Sequence, residues 1–367
     1  MDERWILQFC HSHYGPFTDV ARQYAVLFKG SPYKVLTVYL TGEPDEAVRV
    51  ASESDEVVFL NFSSKAVGGL KLTAIRALKR IAASRDFALV IAHRAKPTYI
   101  ACLATKLPVI SVHHAFGDFK RASRRWFATC FQKRLSLLAV SDAVRDDIRH
   151  RLPLWPIEKI ETLHNRLDVV AARDRIVQRD AARDALGLPK SVPVIGNVGR
   201  LHPDKDQATL LAGFAAALPK LPSATQLAIV GSGPLEAALK RQAIKLNIAD
   251  RVHFLGQVPD VRRFFSAFDL FVLSSDHEPF GMVLLEAIVA GVPVMATDCG
   301  GAPEVVADPE RLFPLRDTAA LAERLVAFFT SERTDKSDLE RLHQSFSDEA
   351  ARWRFFSLAM VKRGLAA

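Results

Sequence analysis

The sequence predicts an α/β protein made of two doubly wound domains in tandem, and three observations carry that reading. Short apolar runs alternate with amphipathic stretches along all 367 residues. The runs are continuous and β-rich, as expected of parallel strands covered by helices on both faces. The pattern also runs through once, lapses, and restarts.

The first set of predicted strands is Trp5–Phe9, Lys34–Leu40, Val57–Asn61, Phe87–Ala92, Val109–Val112, Leu135–Val140 and Ile160–Leu163. Helical periodicity lies between them, for example over Asp19–Phe28, Leu72–Ala83 and Asp142–Arg149. From Asn165 to about Lys190 the chain is polar, rich in Arg and Asp, and has no strand-like run, so a linker entering the second domain's first helix is expected. The second set is Pro193–Val198, Gln226–Val230, Val252–Leu255, Leu270–Leu273, Val294–Ala296 and Arg311–Phe313. The expected domains are 1–168 and 169–345, with 346–367 as a helix that returns to the first. Two such domains facing a cleft bind ligands at the carboxyl ends of their strands, so site residues should fall on strand-to-helix loops.

Composition excludes several classes. With 49% apolar and 25% charged residues the chain is an ordinary globular one, and no apolar run reaches the ~20 residues that span a bilayer. The acidic opening Met1-Asp2-Glu3 predicts no secretory signal. Cys10, Cys102, Cys130 and Cys299 lie far apart, which predicts neither a disulfide framework nor a metal site. A reduced cytoplasmic enzyme is the expectation.

The net charge of +8 belongs to the first half, where residues 1–168 hold 25 Lys/Arg against 17 Asp/Glu. The remainder holds 24 of each. Lys65–Lys96 carries eight basic residues against Asp86 alone. Lys120–Arg134 carries six (Lys120, Arg121, Arg124, Arg125, Lys133, Arg134) and no acid, interleaved with Trp126, Phe127 and Phe131. One reading is a solvated basic face with its aromatics in the core. The other is a helix lying on an anionic membrane surface. Nucleic acid shares the basic footprint, but no RNP, zinc-finger or helix-turn-helix signature accompanies it, so no nucleic-acid partner is expected.

Three loops carry candidate chemistry. Gly199-Arg200-Leu-His-Pro-Asp-Lys205 follows one predicted strand and would place two cations at a helix start, as a diphosphate requires, or else form an exposed basic loop. Its Asp204 and Asp206 fit helix-start acids better than a metal pair. Gly231-Ser-Gly233-Pro234 is a glycine turn that either cradles phosphate or simply turns tightly; Glu236 stands where a dinucleotide fingerprint wants glycine. Glu278-Pro-Phe280-Gly281-Met282-Val283-Leu-Leu-Glu286 brackets a helix start with two carboxylates. The plain reading is a helix-start cap and a solvated helix residue, but Glu286 lies among Val283, Leu284, Leu285, Ala287, Ile288 and Val289, so a carboxylate there is expected to meet a polar partner, here a ligand's hydroxyls.

These loops, with Phe254-Leu-Gly256, Asp269, Ser274–Ser275, Gly291-Val-Pro293 and Gly300-Gly-Ala-Pro-Glu304, occur in an order that resembles the nucleotide-sugar domain of family 4 glycosyltransferases. Those enzymes are retaining and have two Rossmann-like domains in the arrangement called GT-B. The first half resembles the family more loosely, through Val140-Ser141 and Asn165-Arg-Leu-Asp168. The resemblance implies that Arg200 and Lys205 neutralise the departing diphosphate without an obligatory metal. It implies that Glu286 holds the ribose, that Glu278 faces the transferred sugar, and that backbone N–H groups near Phe280 and Gly281 complete the pocket. It places a histidine, His113 or His114, near the donor sugar. Gly15 would approach the phosphates, although Pro16 replaces the family's second glycine there, and Asn165-Arg166 replaces an Asn-Gly turn. The C-terminal Asp348–Arg363, with Trp353, Phe355, Phe356 and Met360, is expected to brace the first domain by packing.

The function expected is transfer of a sugar from a nucleoside-diphosphate sugar to a glycan acceptor, lipid-linked as in bacterial lipopolysaccharide core synthesis. The basic first domain would sit on the inner face of the cytoplasmic membrane. The rivals are a soluble sugar or sugar-phosphate synthase and a nucleotide-sugar-binding protein without turnover.

Overall fold

The apolar runs of the first half become seven parallel strands in a computed structural model that describes residues 4–14, 17–331 and 337–366. They are β1 (Arg4–Cys10), β2 (Tyr33–Tyr39), β3 (Glu56–Phe59), β4 (Phe87–His93), β5 (Val109–His113), β6 (Leu135–Ala139) and β7 (Ile160–Thr162). Their order is β3-β2-β1-β4-β5-β6-β7, so the direction of winding reverses between β1 and β4. β4, β5 and β6 are buried along their whole length, which is why these runs are apolar without alternation.

The second half repeats the plan with β8 (Val194–Val198), β9 (Gln226–Val230), β10 (Val252–Gly256), β11 (Leu270–Leu273), β12 (Val294–Thr297) and β13 (Leu312–Phe313). The order β10-β9-β8-β11-β12-β13 puts its switch point between β8 and β11. There Asn197 donates to Val272 O at 2.8 Å, and Gly196 admits Phe268, whose ring would stand 2.3 Å from a Cβ. The chain thus forms two compact units. One runs to Asn165 and includes the residues from Asp348 onward; the other is Arg166–Ser347.

Asp269 owes its place to this framework. Its carboxylate takes Arg183 Nη2 at 2.7 Å, Arg179 Nη2 at 2.8 Å and Val194 N at 2.7 Å, fixing the start of β8. The Arg183 guanidinium is fully buried and also donates to the carbonyls of Ala267, Pro189, Lys190 and Val192. Burying such a cation is tolerable only because its charge and its donors are met.

Some expectations are corrected. The stretch read as a linker entering one helix contains two, Val169–Asp174 and Arg179–Leu186, the second of which supplies Arg183. The expected helix over Asp19–Phe28 is an α-helix, Phe17–Ala25, followed by a 3-10 turn, Val26–Phe28, whose side chains are buried. The C-terminal helix is two, Asp348–Ser357 and Ala359–Ala366. Phe355 is buried with its ring 5.6 Å from Phe28, and Asp348 accepts from Arg22 at 2.7 Å. Trp353, expected to pack, is 76% exposed, because it falls on the opposite side of its helix from Ala351 and Phe355. All four cysteines are free thiols. Among the described residues no helix is long and apolar enough to cross a membrane.

Candidate active site

In the second unit the loops after β8, β9 and β11 interlock. Gly231 has φ +138°, and a Cβ on it would lie 1.9 Å from Gly199 O. A Cβ on Gly233 would lie 2.3 Å from Leu201 O. Leu201 N donates to Ser232 O at 3.0 Å, and Leu235 N returns to Leu201 O at 3.1 Å. The two glycines are therefore dictated by backbone-to-backbone approach. The amides of Gly199 and Gly231 are bound to Val230 O and Gly256 O, so neither donor is left for a phosphate. Of the two readings of this turn, the geometry selects the tight turn for these two groups; Pro234 is exposed at the tip of the turn.

After Gly199 the chain carries Arg200 outward, its side chain 69% exposed and its Nη2 3.1 Å from Asp204 Oδ2. Gln207, buried at the start of the helix Gln207–Ala217, donates to Arg200 O at 3.0 Å and so fixes the loop. Burial opposes ionisation of the Asp204 carboxyl, but His202, Lys205 and Arg200 hold it below the usual range. Asp206 caps the helix, accepting from Thr209 N at 3.3 Å. The two acids thus serve the fold.

Lys205 turns inward from the 3-10 turn Pro203–Lys205, and its Nζ lies 2.8 Å from Glu278 Oε2. The same oxygen accepts from Ser275 Oγ at 3.1 Å. Two further bonds stitch the loops: Ser274 Oγ to Lys205 O at 2.9 Å, and Asp276 N to Asp204 O at 3.1 Å. Lys205 and Glu278 are 73 residues apart in sequence and largely buried together. Ser274 and Ser275 are what hold them, a role that only the fold reveals.

Beyond Glu278 the chain enters the helix Met282–Val289 through Gly281, at φ +96°. Gly301 N donates to Glu278 O at 2.9 Å, and a Cβ on Gly301 would stand 2.5 Å from Pro279 O. The Phe280 side chain is buried with its ring 5.7 Å from Phe346, so it belongs to the core. Leu284, Leu285, Ala287, Ile288 and Val289 are buried, whereas Met282, Val283 and Glu286 share the half-open face. Helical projection turns Glu286 away from its apolar sequence neighbours, so burial among them does not create its need for a partner. The open face instead aligns Glu286 one turn beyond the helix N-terminus, where first-turn amides favour anions.

The first unit gathers histidines at the carboxyl ends of β1, β4 and β5. His113 is buried, with Nε2 3.0 Å from Ser111 Oγ and Nδ1 2.7 Å from Asp118 Oδ2. Thr98 Oγ1 continues the chain to Ser111 Oγ at 2.6 Å, and Arg124 Nη1 approaches Asp118 at 3.2 Å. Both nitrogens of His113 are thus engaged. His114 is half-buried, its Nε2 3.3 Å from His93 Nδ1, and the rings stack. Burial first, then Arg94 and His113, push His114 down to about 3, so its imidazole is neutral. Burial, followed by His114, holds His93 well below its ordinary value. His11 is lowered too, by burial and by Lys96 and Arg94. His93 and His11 were not singled out from the sequence, although each directly follows an apolar strand run. Gly15 and Pro16 lie outside the described residues.

Two family models match in succession: Glycosyltransferase Family 4 over residues 25–170, and Glycosyl transferases group 1 over 178–350. Among curated relatives, N-acetyl-alpha-D-glucosaminyl L-malate synthase of Bacillus anthracis is 29% identical over 199 residues, 53% of this chain and 50% of its own length. The lipopolysaccharide core biosynthesis glycosyltransferase LpsE of Rhizobium meliloti (strain 1021) is 31% identical over 194 residues, 51% of this chain and 55% of that one. The chain spans about half the length of the curated relatives it matches. Among solved structures, a glycosyltransferase from Rickettsia africae ESF-5 superposes with TM-score 0.83 at 16% identity, covering 100% of this chain and 99% of that one. Anabaena Alr3699/HepE in complex with UDP does so with TM-score 0.78 at 19% identity, covering 96% and 98%. At these identities the likeness establishes the two-domain GT-B fold. With two family models in tandem over most of its length and that fold, the chain belongs to the family 4 glycosyltransferases.

Proposed function

We propose that this protein is a retaining glycosyltransferase that moves a sugar from a nucleoside-diphosphate sugar to a glycan acceptor, lipid-linked and of the lipopolysaccharide-core kind. The observation that carries the reading is the buried Lys205–Glu278 pair, held beside Arg200 and the Met282–Val289 helix start. In this reading the second unit, Arg166–Ser347, holds the donor. Lys205 and Arg200 take up the charge of the departing diphosphate, a use of fixed cations that needs no obligatory metal ion. Glu278 orients Lys205 and faces the sugar, and Glu286 takes the ribose hydroxyls. Main-chain groups from Phe280 to Val283 line the donor, and the Gly199, Gly231, Gly233 and Pro234 turns shape its floor.

The bond from the anomeric carbon to the diphosphate oxygen breaks, and the same face of that carbon bonds to the acceptor oxygen. The acceptor's hydroxyl proton passes to the leaving phosphate oxygen. The first unit carries the acceptor, with His114 as a neutral hydrogen-bonding group and His113 as the residue that fixes the loop beside it. UDP in the Anabaena neighbour and a lipopolysaccharide-core role in the Rhizobium relative support a nucleotide donor and an envelope acceptor. The basic surface of residues 1–168 supports residence at the inner face of the cytoplasmic membrane.

The test is transfer of labelled sugar from UDP-, GDP- and ADP-sugars to de-glycosylated envelope lipid, in EDTA, with the product's anomeric configuration read by NMR. Retained configuration in one donor's product supports the reading. An inverted product, or dependence on added metal, contradicts it.

A further inference from the structure

The first unit contains a second built site, away from the histidines of β1 and β4. A cavity of about 450 Å³ opens between the helices Ala95–Ala104 and Ala122–Cys130, over β5 and β6. Its walls are Tyr99, Phe119, Trp126, Phe127, Leu135 and Leu137. That volume lies within the range of small-molecule pockets.

We propose that this cavity takes the hydrocarbon chain of an anionic lipid, with the lipid's charged head at Lys71 and Lys96 of its mouth. The proposal rests on the reading of a lipid-linked acceptor and gives that acceptor a place.

Three observations select this occupant. The polar groups at the inner end are already committed to one another. Thr98 bonds Ser111 and Arg94 O, Ser111 bonds His113, and His113 bonds Asp118. A sugar ring would find few unmet partners there, whereas a methylene chain displaces water without leaving those groups unpaired. Second, the mouth is cationic. Lys71, Lys96 and Arg124 line it, and the carboxylate of Asp118, which lines it too, is shared by His113 and Arg124. Lys71 stands 4.9 Å from the Tyr99 ring, and burial together with the charge of Lys96 lowers its ammonium. Two lysines that repel each other at an apolar mouth are relieved by an anion. Third, the rim is apolar and open. Trp126 is 70% exposed, and Lys71 is flanked by Leu70 and Leu72, at 69% and 54%. Large apolar side chains beside cations are what a protein presents to a lipid surface. Arg124 and Arg125, by contrast, are tied to Asp118 and to the carbonyls of Phe119 and Lys120, so they shape the pocket more than they scan a membrane.

The experiment is calorimetric titration of the full chain with hexyl, octyl and decyl phosphate below their micelle concentrations. Inorganic phosphate and octyl glucoside serve as controls. Each added methylene is expected to strengthen binding about fourfold until the cavity is full. Ser123→Trp, placed at the exposed mouth, should weaken octyl phosphate at least tenfold. Lys71→Gln with Lys96→Gln should weaken octyl phosphate about tenfold and leave octyl glucoside unchanged. Melting temperatures check that each variant folds.

Equal binding of inorganic phosphate and all three alkyl phosphates would overturn the proposal in favour of a plain anion site. Chain-length dependence that survives Ser123→Trp unchanged would place the hydrocarbon elsewhere and also overturn it. The same samples are titrated with the nucleotide sugars. Donor binding without alkyl phosphate binding sinks the pocket alone, and the converse sinks the transferase reading alone.

Discussion

Removing the charge from either member of the Lys205–Glu278 pair separates what the pair does for the fold from what it does for chemistry. The two groups are 2.8 Å apart, with side chains only 20% and 10% exposed. At an effective dielectric of 20, two unit charges at that distance attract by about 6 kcal/mol. Desolvation of both consumes most of this, but deleting one partner leaves the other ion buried and unmatched. Glu278→Gln keeps a bond to Ser275, so its cost should be about 2–3 kcal/mol, below the 3–5 of a fully buried pair. For a unit of this size that lowers the melting temperature by roughly 5–10 °C. Lys205→Met should cost a similar amount.

The double variant Lys205→Met/Glu278→Gln removes both charges, and stability should return to within about 1 kcal/mol of the parent. Transfer should not return. Loss of a cation that stabilises the leaving group lowers kcat about 10²–10³-fold, and restoring neutrality does not replace it. The assays are thermal denaturation and initial rates of sugar transfer on the same four proteins. If the double variant regains both stability and rate, the pair is a structural brace and its assignment to the diphosphate is wrong.

Three further outcomes are expected. Asp269→Asn strips the counter-charge from fully buried Arg183 and should destabilise the second unit by about 3–5 kcal/mol in urea denaturation, with little change in donor affinity per folded molecule. Gly231→Ala forces a Cβ to within 1.9 Å of Gly199 O at φ +138°, so folded yield and donor binding should fall together, whereas Ser232→Ala should alter neither by more than about 0.5 kcal/mol. His114 is held down to about 3 from an unfolded value of 6.5, so its stabilising effect is full above pH 6.5 and is lost as pH falls toward 3. In that window His114 alone should contribute about 1.4 kcal/mol per pH unit to the slope, and His114→Asn should remove that contribution. An unchanged slope would refute the burial of a neutral imidazole.

Much of the fold was legible because its strands are uninterrupted apolar runs with sharp ends. Gln226–Val230 stops at Gly231, and Leu270–Leu273 stops at the Ser274–Ser275 pair, so spacing and composition agree. The order of glycine, lysine and glutamate loops was legible too, because strand ends in such sheets feed their ligand loops. What was not legible depends on distance in sequence or on the exact turn of a helix. Asp269 reads as a family feature, but its reason is Arg183, 86 positions earlier. Glu286 stands among aliphatic neighbours in sequence, yet the 3.6-residue period turns it out with Met282 and Val283. Gly231 and Gly233 read either as a phosphate cradle or as a tight turn, and only the approach of residues 199–201 shows that steric necessity selects them. The pairing of His93 with His114 joins two strand ends 21 residues apart, a relation that periodicity does not record.

The most direct test of the central claim is a thermal-shift panel of UDP-, GDP- and ADP-sugars with their free nucleotides, run in EDTA on the parent and on Lys205→Met. A ligand at about a hundred times its dissociation constant stabilises by ~2.7 kcal/mol, a shift of several degrees for a domain of this size. The account predicts that one nucleotide family raises the parent's melting temperature and that Lys205→Met loses most of the rise. No shift with any of the three families, or a shift that Lys205→Met preserves in full, would contradict it.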